Sequence, residues 1–134
     1  MTPQLEEAGR LLRLAQRDAV AFRVLLAAPE ADAAIACFHA QQAVEKSLKA
    51  VACVRRVAFR RTHDLEELAA RLGDAGAAIP VSAEVLRRPT PFAVEFRYND
   101  EAIDTISGKE AGEIMRDVIR WAECELSAAS GRSA

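Results

Sequence analysis

The sequence predicts an all-α protein, an up-and-down antiparallel bundle of four to five helices. Three observations predict it. Apolar residues recur at steps of three and four over long stretches, as one buried helix face requires. Alanine and leucine supply most of the 51% apolar content, while aromatics make up only 5%; a β-sandwich wants more β-branched and aromatic residues and more evenly spaced turns. The 6 glycines and 5 prolines bunch mainly between the periodic stretches, where they end helices.

The first helix is expected over roughly 4–28. Leu5, Ala8, Leu12, Ala15, Ala19, Phe22 and Leu26 form its apolar stripe, Arg10, Arg13 and Arg17 its opposite face, and Pro29 stops it. Asp32 can cap a second helix over about 33–54, with Cys37, Val44, Leu48 and Val51 facing inward. A link this short makes the two helices antiparallel neighbours. After a basic, irregular stretch, Thr62 or Asp64 caps a third helix carrying Leu65, Leu68 and Leu72, with Gly73 at its end. Ser82 caps a short helix that Pro89 and Pro91 interrupt; another turn or two aligns Phe92 with Phe96 and ends at Asn99-Asp100. Ser107-Gly108-Lys109-Glu110 is a capping box that opens a last helix to about 128. Its stripe is Ala111, Ile114, Val118, Trp121 and Ala122. The 134 residues make one domain, with a core over about 5–126 and a polar tail, 127–134, expected to fray.

The net charge of −2 supplies no overall basic field for nucleic acid. Arginines do gather at Arg55, Arg56, Arg60 and Arg61 and at Arg87 and Arg88, although such runs are usually solvated surface. Cys37, Cys53 and Cys124 are an odd number without metal-ligand spacing, as expected of small packed hydrophobes. With no signal-peptide pattern and no apolar run of ~18 residues, a cytoplasmic location is expected. A Gly-rich phosphate loop, a His/Cys cluster and a Ser/His/Asp arrangement are all missing, so neither metal nor cofactor is expected.

The chemistry of the chain concentrates on the second helix, where His39, Gln42, Lys46 and Lys49 follow at steps of three, four and three. This polar, cationic stripe suits an anion, a nucleotide or RNA. Lys49 has Glu45 at the favourable i,i+4 spacing, which also explains it as half of an ordinary helix pair. Lys46 aligns with Gln42 and His39 rather than with a carboxylate, so a phosphate or an acidic surface would satisfy it. His63, between Thr62 and Asp64, suits helix capping as well as ligand contact. Arg97-Tyr98 suits an internal anchor, or a phosphate contact with a stacked base.

Three words in order, Phe38-His39-Ala40-Gln41-Gln42-Ala43-Val44-Glu45-Lys46-Ser47-Leu48-Lys49, then Thr62-His63-Asp64-Leu65, then Arg97-Tyr98, resemble the HEPN family over roughly residues 5–126. The resemblance implies a helical bundle, often a dimer. Many prokaryotic members are similar to the helical partner of a minimal nucleotidyltransferase. Others are metal-independent RNases, commonly toxins, using an Arg, four to six intervening residues and a His. In such a site His exchanges a proton with a ribose or leaving oxygen while Arg steadies the phosphorane charge. Here no His follows Arg97, and the only numerical match, Arg56 with His63, spans the connection between helices two and three.

The expected function is therefore a non-catalytic nucleotide-binding and assembly module. It forms a homodimer and associates with a separately encoded minimal nucleotidyltransferase, in a toxin–antitoxin-like pair. The alternatives are an RNase toxin using Arg56, His63 and Arg97, and a structural helical adaptor. The expected nucleotide or RNA contacts are His39, Gln42, Lys46, Lys49, His63, Arg97 and Tyr98. Phe59, Phe92, Phe96 and Trp121, more aromatic surface than one small core needs, are expected to serve an isologous dimer interface.

Overall fold

The computed structural model describes residues 2–59, 65–82, 85–86 and 108–132. Among these, four helices and no strand occur: α1 (Pro3–Ala27), α2 (Ala33–Arg55), α3 (Leu65–Asp74) and α4 (Gly108–Arg132). The bundle is all-α, as the periodicity requires.

Local chemistry sets the ends of these helices. Thr2 accepts a hydrogen bond from the Leu5 amide at 3.1 Å, with Pro3 in the first turn, and Asp32 caps α2 through the Ala34 amide at 2.9 Å. At the far end of α2, Arg56 takes the left-handed conformation (φ 55°, ψ 41°). The Val57 amide then bonds the Ala52 carbonyl at 2.9 Å and the Arg56 amide that of Cys53 at 3.3 Å, a Schellman closure. α3 closes the same way, but at Gly76 (φ 90°) rather than at Gly73. The Ala77 amide bonds the Leu72 carbonyl and the Gly76 amide that of Gly73, each at 3.0 Å, and Ala77 is buried. The end moves three residues on because burying Ala77 near Leu72 completes the motif's apolar contact. The expected Ser82 cap is present, its hydroxyl accepting from the Val85 amide at 3.2 Å.

α2 is the central helix, packed against α1, α3 and α4. Small residues at Ala36, Ala40, Ala43, Ala50 and Ala52, all fully buried, let its neighbours approach closely. α1 runs antiparallel to α4: Gln16 donates to Glu123, the Phe22 ring lies beside Gly112, and Leu26 lies beside Gly108. Arg55 forks onto Glu125 and so places the C-terminal parts of α2 and α4 together. α2 and α4 are therefore parallel, both antiparallel to α1.

Two expectations for α4 change. Its most buried residues are Ala111, Met115, Val118, Ile119 and Ala122, whereas Ile114 and Trp121 are partly buried at the core's margin. Wedged against both α1 and α2, the helix buries a face turned slightly from the one its bulkiest residues mark. It also continues to Arg132, beyond the expected stop near 128, since Ser127-Ala128-Ala129-Ser130 holds no helix breaker. The Ser107 capping box, the Thr62 and Asp64 caps and the helix broken by Pro89 and Pro91 lie outside the described residues.

Candidate functional site

The stripe on α2 lies along its margin with α1. His39 and Lys46 are seven residues apart, two turns on one side of the helix. The long Lys46 side chain leans toward the helix N-terminus, as helical side chains do, and so approaches the histidine's end of the stripe. Between them stands Asp18 of α1. One carboxylate oxygen is 2.9 Å from His39 Nδ1 and the other 2.5 Å from Lys46 Nζ. Asp18 is only 13% exposed at its side chain, His39 29% and Lys46 26%, so this is a half-buried clasp joining α1 and α2. With a carboxylate as acceptor, Nδ1 is the ring nitrogen that donates to Asp18. The carboxylate that α2 does not offer Lys46 thus comes from α1.

One turn on, Lys49 Nζ lies 3.5 Å from Glu45 and 5.7 Å from the Phe59 ring centroid. This pair is far less exposed than a solvated helix pair, the Glu45 side chain being 5% accessible. Phe59 is partly buried under Lys49, and Trp121 packs against the core, so both rings contribute to the fold. Gln42, half-buried between the lysines and His39, forms no hydrogen bond among the described residues. On another face of α2, the Gln41 Oε1 and Ser47 Oγ atoms are buried without a hydrogen-bond partner.

The stripe is consequently charge-balanced. Lys46 faces Asp18 and Lys49 faces Glu45, so an incoming phosphate must compete with a carboxylate for each ammonium group. Asp18 is the residue missed by sequence reasoning. A signal for it existed: it follows Leu11 and Leu14 and precedes Leu25 at helical steps, a single carboxylate on an apolar flank of α1.

Of the other expected site residues, Arg56 is exposed and ends α2 through its backbone conformation. Its neighbour Arg55 is an internal clamp, holding Glu125 through Nε and Nη2 at 3.0 and 2.9 Å and the Ala75 carbonyl through Nη1 at 3.2 Å. The guanidinium is held above its ordinary pKa mainly by its hydrogen bond to Glu125. His63, Arg97 and Tyr98 lie outside the described residues, as do Arg60, Arg61, Arg87, Arg88, Phe92 and Phe96. An open cleft of about 460 Å³ lies between α1 and α4, lined by Leu5, Glu6, Gly9, Arg13, Leu126 and Ser130. No group of three or more metal-ligating side chains converges among the described residues, and none of their helices is long and apolar enough to cross a membrane.

The sequence profile of the HEPN domain matches residues 8–125, nearly the whole chain. The chain belongs to the HEPN family. No curated protein and no solved structure matches it. Within this HEPN domain, the word spanning Phe38 to Lys49 forms the middle of α2, and its polar positions make the clasp to α1.

Proposed function

We propose that this HEPN domain is a non-catalytic assembly module that dimerises and partners a separately encoded minimal nucleotidyltransferase, as in a toxin–antitoxin pair. The observation that carries the reading is the absence of an Arg–His pair at His39. His39 is the one histidine among the described residues, Asp18 holds its Nδ1, and no arginine precedes it at the RNase spacing. Arg56, the arginine of the alternative pair with His63, is exposed and closes α2 in a left-handed backbone conformation.

Nucleotide contact in this reading is secondary. His39, Gln42, Lys46 and Lys49 keep partly exposed edges, and phosphate reaches Lys46 and Lys49 only by competing with Asp18 and Glu45. His63, Arg97 and Tyr98 complete the proposed site. The test is co-expression with a minimal nucleotidyltransferase encoded beside this gene, followed by affinity purification through a tag on the HEPN chain. The reading expects stoichiometric co-elution that survives nuclease treatment. A solitary gene, or a neighbour that elutes separately, contradicts it.

A further inference from the structure

The outer face of α1 carries a second, unrelated pattern. Arg10, Arg13, Arg17, Val20 and Val24 follow at steps of three, four, three and four, and all five are exposed. The neighbouring helices pack on the opposite side, where Ala8, Leu11, Leu12, Ala15 and Phe22 are buried, and only Arg13 of the stripe borders the open cleft toward α4. The stripe is about 21 Å long, cationic in its first half and apolar in its second. Glu7 closes on Arg10 at 2.6 Å, but Arg13 and Arg17 form no ion pair among the described residues. Val20 and Val24, one turn apart, are 48% and 63% exposed.

We infer that this face docks an acidic amphipathic helix of another polypeptide, one with carboxylates at one end of its contact face and apolar residues at the other. The inference is independent of the proposed function and goes beyond it, naming the partner's chemistry whichever protein carries it. Charge complementarity selects the occupant. A second copy of the chain laid antiparallel on this stripe sets the arginines against the valines, desolvating cations without counter-charge. Laid parallel, it sets arginine against arginine. A nucleic acid satisfies the arginines but leaves the valine pair in water. An acidic-apolar helix matches both halves at once, with apolar anchors at helical spacing.

The test places a photo-reactive residue at position 24 of the full chain in the native host and sequences the cross-linked segment. That segment is then synthesised and titrated by fluorescence anisotropy against wild type, Arg13→Glu/Arg17→Glu and Val20→Ser/Val24→Ser. The expected result is a segment with at least three carboxylates and apolar residues at helical steps. Its binding weakens at least tenfold in each variant and falls with added salt. A cross-link to a second copy of this chain or to RNA, no cross-link above that from a buried control position, or equal binding by all three proteins would overturn the inference. The substitutions lie on an exposed face, and unchanged melting curves check that the fold is intact.

Discussion

Asp18 and Lys46 meet at 2.5 Å between Oδ2 and Nζ, linking α1 and α2 across 28 residues of sequence. The other oxygen of the same carboxylate holds His39, so one side chain satisfies two polar groups of α2. This clasp gives Lys46 a carboxylate partner on α1 in the folded chain.

Asp18→Asn is expected to cost about 1–2 kcal/mol, because it leaves a half-buried ammonium group facing a neutral amide. Lys46→Gln should cost less, since its end reaches water. In a double-mutant cycle the two are coupled by roughly 0.5–1 kcal/mol, reduced by partial exposure. Urea unfolding of the four proteins measures this, and additive effects would show that the clasp does not stabilise the fold.

Backbone positions separate by what a new methyl group meets. In Gly73→Ala nothing lies within 4 Å of the added Cβ, so stability rises by about 0.5–1 kcal/mol through helix propensity. In Gly112→Ala the Cβ comes 3.0 Å from Phe22 Cε2, on a ring that is 2% exposed, and the strain outweighs the propensity gain by roughly 1 kcal/mol. Arg56→Gly relieves the left-handed conformation and stabilises by about 1 kcal/mol. Thermal unfolding of the three variants reads the signs.

The thiols are graded by burial. Burial pushes the Cys37 thiol above its ordinary pKa, and does the same to Cys53, where Glu7 adds to the rise and Arg10 opposes it. Cys124 is exposed. A thiol reagent at neutral pH should modify Cys124 first, Cys53 slowly, and Cys37 only on unfolding. A raised folded-state pKa means the native chain keeps protons that the unfolded chain releases, so this contribution is complete below the unfolded thiol pKa. Stability should fall as pH rises from about 8.5 through the folded values, read as a declining urea midpoint.

Binding at the α2 stripe is expected to be weak and salt-sensitive. Lys46→Gln/Lys49→Gln keeps length and helix propensity while removing both cations. Titrating ATP and a short RNA at two salt concentrations should show weaker binding by the variant, with the difference shrinking as salt rises. Indistinguishable curves would mean that Asp18 and Glu45 hold the lysines for the fold alone.

How much was legible follows from where each determinant lies. Asp32, Pro29 and the three-four steps of α1 and α2 act through neighbours in the chain, so those helices end within a residue or so of expectation. Gly73 and Gly76 are both plausible stops in sequence; the choice depends on Ala77 being buried, a tertiary fact. Likewise Met115 and Ile119 displace Ile114 and Trp121 from the deepest positions because α4 sits against two helices at once. The stripe of His39, Gln42, Lys46 and Lys49 is written in the spacing of α2. Its counter-charge is not, because Asp18 meets it only through the register of α1 on α2.

The central claim is assembly without catalysis, and RNA cleavage tests it most directly. Purified wild-type chain and His63→Ala, each incubated with labelled structured RNA without added metal, are compared on a sequencing gel. The account predicts intact RNA in both lanes at protein concentrations in the micromolar range. Cleavage by wild type that disappears in His63→Ala would contradict it and restore the Arg56–His63 pair as a general acid–base site.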